Sequence, residues 1–239
     1  MELYNQIIKE TDELLKYVAP KRWDFSPSDA WHDNGSSELI MQRDSAYELG
    51  GSDKPALNYS CVTTDMSLVA KDEILLYGPD LKEIKADTAY ARIAVITVSS
   101  MEGKNEEIYK SLCDLEFVKY HVFPTGYMIR ISPESNREQV RIGKQSLKDG
   151  MSFQNIGSAF IRKYKENPNV KNVKLIFVTD EAADFKALTA HAKSVDSITR
   201  TFNHILDGLP TDCSSCQLKP LCDEVEGMRE LHFKQDKKQ

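Results

Sequence analysis

Three of the five cysteines fall within one short stretch, Cys213-Ser214-Ser215-Cys216-Gln217-Leu218-Lys219-Pro220-Leu221-Cys222. A C-x2-C pair offers two thiolates to one centre from a tight loop, and Pro220 can turn the chain so that a third thiolate converges. Thiolates are soft ligands that select zinc or iron–sulfur centres. A [4Fe–4S] cluster takes four cysteines, so this spacing leaves an open iron or a ligand recruited from Cys113 or Cys61. His232 would instead complete a closed zinc site of three cysteines and one histidine. The leading expectation is a [4Fe–4S] cluster, with zinc as the alternative and Cys213, Cys216 and Cys222 as the metal ligands. Cys61 and Cys113 each lie in or beside an apolar run and read more simply as small core residues. An odd number of cysteines without a secretory signal argues against a disulfide framework.

A second constellation is cationic. Arg130, Arg137, Arg141, Lys144 and Lys148 recur across a candidate hairpin and the short helix after it, in a chain that is acidic overall (net charge −6). Arg137 and Arg141 stand four apart on a strand and so share a face, which Lys144 extends. The ordinary reading of such a run is a solvated face. The functional reading is a site for an anion, such as a phosphate-bearing cofactor or an acidic partner surface, because arginine reads phosphate bidentately. The histidines are scattered; His121, alternating with apolar residues, reads as structural. No nucleophile elbow, Walker loop, dinucleotide fingerprint or H-E-x-x-H is present.

The elements that must position these residues follow from periodicity. Leu3, Ile7, Leu14 and Val18 mark an amphipathic N-terminal helix that Pro20 ends. Residues 20–37 read as an irregular connector pinned by Trp23, Phe25 and Trp31. Strands are expected at Glu38–Gln42, Asn58–Thr63, Glu73–Tyr77 and Ala91–Val98, the last apolar enough to be buried on both faces. A helix at Glu106–Leu115 precedes an alternating Phe117–Phe123, then two strands at Tyr127–Ser132 and Arg137–Ile142. Lys144–Lys148 is a short helix closed by Gly150. Ser152 caps a helix whose stripe is Phe153, Ile156, Phe160, Ile161 and Tyr164. A buried strand, Val173–Val178, leads into a long helix from Phe185 to Ile205 that Gly208 stops. Helices interleaved with hairpins predict a mixed α+β fold, a mixed sheet flanked by helices, with an N-terminal helix and a C-terminal Cys-rich metal-binding tail.

Composition sets outer bounds. Hydrophobic residues make up 41% and charged residues 28%, as in globular proteins. Met1–Lys16 is charged rather than apolar, unlike a secretory signal. No apolar run approaches the roughly 20 residues of a spanning helix. The expected location is the cytoplasm, with neither membrane nor nucleic acid as a partner.

Several segments in order resemble acetyl-CoA synthase, the β subunit of the CO dehydrogenase/acetyl-CoA synthase complex. Glu48-Leu49-Gly50-Gly51 with Pro55-Ala56 resembles the family's E-x-G-G…P-A stretch. Ile74–Asp80, ending Gly78-Pro79-Asp80, resembles I-x-x-I-G-P-D. Val140-Arg141-Ile142-Gly143-Lys144 with Gly150 and Ile156-Gly157 resembles I-R-I-S-K…G…I-G. Phe177–Glu181 resembles Y-T-D-E, and Cys213-x2-Cys216 falls where the family's cluster cysteines begin. The similarity spans roughly residues 46–222. It implies three parts: an N-terminal helix and connector at 1–45, an α/β domain like the family's middle domain at 46–211, and an iron–sulfur tail at 212–239.

The departures are chemical. The family's active site joins a [4Fe–4S] cluster to two nickels, and a Cys-Gly-Cys holds the distal one. No Cys-x-Cys occurs in these 239 residues, so nickel is not expected. Cys222 comes sooner than the family's third cysteine, no fourth follows, and no counterpart of the family's N-terminal docking domain is found. Gln139 stands where the family has a tryptophan near its coenzyme A region, whereas Arg141 matches the family's arginine. The resemblance therefore implies coenzyme A as a ligand and carries over Arg141 alone; Arg137 and Lys144 join it as candidate contacts from the cationic run itself. Its setting is anaerobic one-carbon metabolism. The expected role is a binding or electron-transfer partner of a corrinoid protein or methyltransferase subunit. Two alternatives stay open: an acyltransferase subunit completed by another chain, and a zinc-stapled structural protein.

Overall fold

The computed structural model describes residues 3–51, 53–99, 105–132 and 135–206. Its helices are α1 (Asn5–Leu14), α2 (Asn105–Phe117), α3 (Lys144–Lys148), α4 (Phe153–Tyr164) and α5 (Phe185–Leu206). The strands are β1 (Lys21–Asp24), β2 (Ser45–Leu49), β3 (Ala56–Thr63), β4 (Glu73–Tyr77), β5 (Tyr90–Val98), β6 (Tyr127–Ser132), β7 (Arg137–Gly143) and β8 (Val170–Val178). A five-stranded sheet runs β1-β4-β8-β5-β3, and a three-stranded sheet runs β2-β7-β6. The larger sheet is mixed: β3 is parallel to β5 and β4 to β8, while β5 is antiparallel to β8 and β1 to β4. This is the expected mixed α+β architecture, with the N-terminal helix in place.

The central strands are apolar on both faces because both faces are covered. One face carries Tyr59, Ile93 and Ile176 in register. On it lie α1, whose Thr11 hydroxyl meets the Tyr59 hydroxyl at 2.7 Å, and α5, which buries Leu188, Ala192, Val195 and Ile198. Lys174 on β8 is almost fully buried there, its ammonium 2.9 Å from both carboxylate oxygens of Asp12 on α1. The other face carries Asn58, Arg92 and Phe177 in register. It receives α4, with Phe153 packed 4.6 Å from Phe177 by ring centroids, and the inner side of the small sheet.

The start of α4 shows the local logic. The Ser152 hydroxyl accepts from the Asn155 amide, and the Asn155 side chain accepts from the Ser152 amide at 2.9 Å, a reciprocal cap that satisfies two otherwise orphaned donors. Gly157 lets the helix lie directly on β4, since a Cβ there would stand 2.8 Å from Ile74 Cγ1.

Three expectations fail. Glu38–Gln42 is not a strand: Leu39 and Met41 point outward, 76% and 51% exposed, and the strand that flanks β7 opposite β6 is Ser45–Leu49. The apolar triplet at 39–41 imitated a strand, but only Ile40 is buried. Phe117–Phe123 does not alternate as a strand either; α2 runs on into a 3-10 turn at Val118–Tyr120. Lys119 reaches back three residues to pair with Glu116, a helical spacing. His121 therefore leaves the strand assigned to it and is exposed, with its Nδ1 2.8 Å from the Phe117 carbonyl. Finally, the connector is not wholly irregular, because Lys21–Asp24 adds to the edge of the large sheet along β4. Trp23, Phe25 and Trp31 pack partly buried against the core.

Candidate functional site

β4 and β8 end where antiparallel β5, with β3 alongside it, begins. That end of the sheet gathers the chemistry-bearing turns. After β4, Gly78 turns at φ +115°, where an added Cβ would lie 2.5 Å from the Asp180 amide. Asp80 then accepts from its neighbour's amide (Leu81, 2.7 Å) and from the first amide of α4 (Phe153, 2.9 Å), placing a carboxylate at a helix N-terminus. After β8, the Thr179 hydroxyl donates to the Pro79 carbonyl at 2.8 Å and its amide to the Tyr77 carbonyl at 2.8 Å. Glu181 pairs with Lys54 at 2.7 Å, and that ammonium holds its carboxyl below the usual range.

The turn after β2 is locked to the same edge. Gly50 sits at φ +64°, and a Cβ there would overlap Ala56 Cβ at 2.3 Å. Its amide donates to the Thr88 carbonyl at 2.7 Å. Its carbonyl accepts from Arg137 at 2.8 Å and from Gln139 at 3.0 Å. Arg137 also reaches the Lys54 carbonyl at 3.0 Å. The Glu48 carboxylate is shared by two guanidiniums, Arg141 at 2.8 Å and Arg130 at 3.1 Å. Arg141 also donates to the Ile40 carbonyl at 2.7 Å, and Lys144 to the Arg43 carbonyl at 2.8 Å. Arg137, Gln139 and Arg141 do share the outer face of β7, as strand alternation requires. Each head already holds backbone or carboxylate oxygens, so these residues build the edge as well as charge it.

The inward face of β7 carries a group that sequence reading passed over. Glu138 is fully buried and meets buried Arg92 of β5, Nε to Oε1 at 2.8 Å. Tyr90 donates to the same oxygen at 3.2 Å and shares a 2.7 Å contact with the Tyr127 hydroxyl. The guanidinium lies 4.1 Å from the Phe160 ring centroid. Burial alone would lower the pKa of Arg92; the Glu138 charge more than offsets this and keeps the guanidinium ionised. The available signal was an arginine inside the otherwise apolar Ala91–Val98 run. Near it, burial pushes the Glu116 carboxyl up despite its Lys119 partner.

The metal ligands expected at Cys213, Cys216 and Cys222, like His232 and Gly208, lie outside the described residues. Among the described residues no group of three or more His, Cys, Asp or Glu side chains could hold a metal ion. Cys61 and Cys113 form no disulfide and are buried. Burial, with Glu116 nearby, pushes the Cys61 thiol up, so it is a poor source of thiolate. No helix of the described residues is long and apolar enough to cross a membrane.

Compared with known proteins, residues 33–183 match the family model of the CO dehydrogenase/acetyl-CoA synthase complex beta subunit. No curated protein matches the chain.

Proposed function

The chain belongs to the family of the CO dehydrogenase/acetyl-CoA synthase complex beta subunit, and on that premise we propose that it serves such a complex as an iron–sulfur binding or electron-transfer subunit. The observation that carries this reading is the gathering, at one end of the sheet, of the matched turns around Glu48–Gly51, Gly78–Asp80 and Thr179–Glu181. Hydrogen bonds donated by Arg137 and Arg141 tie the Glu48–Gly51 turn to a cationic edge. The partner it would receive is a corrinoid protein or methyltransferase subunit, and coenzyme A phosphates would meet the edge through Arg137, Arg141 and Lys144. Arg130 and Arg141 share the single Glu48 carboxylate there, and Lys144 adds an exposed ammonium.

Cys213, Cys216 and Cys222 are the donor set for the cluster, and three clustered thiols suit it because soft thiolates select iron–sulfur or zinc. A bound cluster supplies one-electron transfer. Joining CO to a methyl group is not assigned to this chain, since no Cys-x-Cys pair is present to hold a second metal.

Anaerobic reconstitution tests the reading. About four irons per chain are expected for one [4Fe–4S] cluster, lost in Cys213→Ser and Cys216→Ser. Stoichiometric zinc without iron would leave a zinc-stapled structural protein. Nickel-dependent synthesis of acetyl-CoA by the chain would move it into the enzyme class. For the edge, Lys144→Gln is cleaner than Arg141→Ala, because removing Arg141 also strands Glu48. Affinity for coenzyme A or a corrinoid protein should fall in Lys144→Gln and with rising salt, since exposed charges are screened beyond about 10 Å at 0.1 M.

A further inference from the structure

A second cleft lies away from the cationic edge, between the C-terminal half of α4 and the segment Asp33–Gly35. Its volume is about 390 Å³, within the range of small-molecule sites. Phe123 and Ala159 are its apolar lining, Arg162, Lys163 and Glu166 line it with charge, and His121 adds an imidazole.

The polar groups differ in what they already hold. Asp33 accepts from the Gly35 amide at 2.7 Å and the Phe123 amide at 3.3 Å. Glu166 accepts from Lys163 at 2.7 Å. Both carboxylates are therefore occupied by internal donors. His121 spends Nδ1 on the Phe117 carbonyl; a carbonyl only accepts, so Nδ1 carries the proton and the outer ring nitrogen remains for a ligand. Arg162 is exposed, and among the described residues its guanidinium makes no ion pair or hydrogen bond. The unspent capacity of the cleft is thus a five-donor planar fork and an imidazole nitrogen that line the same space.

We propose that this cleft binds a small phosphorylated molecule, its phosphate held by Arg162 and the outer nitrogen of His121 and its body against Phe123 and Ala159. The fork matches two phosphate oxygens at once. In this tautomer the outer nitrogen is an acceptor, and a phosphate that keeps one O–H donates to it. This site is independent of the reading above, since none of its residues belongs to the cysteine tail or the cationic edge. The competing account is that Arg162 and Lys163 sit in the last turn of α4 only because cations favour a helix C-terminus.

The two accounts separate on titration of the full chain with pyrophosphate and inorganic phosphate, with acetate as the carboxylate control, followed by amide chemical shifts and calorimetry. The expected result is saturable shifts of the Gly35, His121 and Ala159 amides with the phosphates. Affinity should drop roughly tenfold or more in Arg162→Gln, which removes the charge-assisted pair of hydrogen bonds. It should rise in Glu166→Gln, which removes a repelling carboxylate and releases Lys163. Both substituted side chains are exposed, so far-UV circular dichroism should match the wild type. Absence of saturable shifts, equal affinity in Arg162→Gln, or acetate binding as well as phosphate would each overturn the proposal.

Discussion

Arg92 and Glu138 are the most consequential pair of residues outside the cysteine tail. They join the two sheets through charges taken fully out of water. Such a pair contributes little net stability over a well-packed apolar pair, but removing one partner strands the other, at a cost of about 3–5 kcal/mol. Glu138→Gln and Arg92→Met should each lose that much in urea melts. The double variant Arg92→Met/Glu138→Leu should lose clearly less than the two losses combined. Additive losses would mean that the charges do not interact. Glu116 makes a different prediction. Its folded pKa is raised by burial, so the folded state binds more protons than the unfolded state above the free Glu value of about 4.3. Stability from this residue is present at low pH and declines as pH rises from there toward the raised folded value. Unfolding free energies measured across that window should fall more steeply with pH in the wild type than in Glu116→Gln. Parallel slopes would contradict the assignment.

At the scale of elements, α4 lies on β4 only because residue 157 is glycine. Helix propensity alone favours alanine there by about 1 kcal/mol. The added Cβ would come within 2.9 Å of both Ile74 Cγ1 and Cγ2, however, and overpacking of this kind costs about 1–3 kcal/mol. Gly157→Ala should therefore destabilise the protein despite the better helix former. Ile74→Ala in the same chain should reverse part of that loss, even though Ile74→Ala alone opens a cavity. A gain in melting temperature for Gly157→Ala would show that the helix can lift off the strand at no cost. The same element also carries Asp80 at its first amide, so its position transmits directly to the motif-rich edge.

At the scale of the whole molecule, the matched segment 33–183 is not the folding unit. One face of the large sheet is covered by α1 and α5, and both lie outside that segment, as does edge strand β1. Without them Tyr59, Ile93, Ile176 and the ammonium of Lys174 would face water. A fragment of residues 33–183 should keep far-UV dichroism, lose near-UV dichroism and bind ANS, the marks of an unpacked core. Cooperative unfolding of that fragment with a native near-UV spectrum would sink this account. The full chain should unfold cooperatively, with α1 contributing through the Thr11–Tyr59 and Asp12–Lys174 contacts.

The sequence by itself determined the helix and strand types wherever period and caps agreed: Ser152 before α4, Glu73–Tyr77 as a strand, and the shared face of Arg137, Gln139 and Arg141. These are local properties, fixed by 3.6- and 2-residue periods and by single backbone donors. The thiols of Cys213, Cys216 and Cys222 are also written in the chain, and their use as ligands belongs to the proposal that reconstitution tests. Only the tertiary structure decided that 39–41 stays outside the sheet and that Phe117–Phe123 finishes a helix, since exposure there depends on what packs alongside. The tertiary structure also paired Arg92 with Glu138, 46 residues apart. It showed, too, that the β7 arginines hold the Glu48–Gly51 turn. Long-range partners of this kind depend on which strands become neighbours, and neither β5 nor β7 carries a local mark of the other.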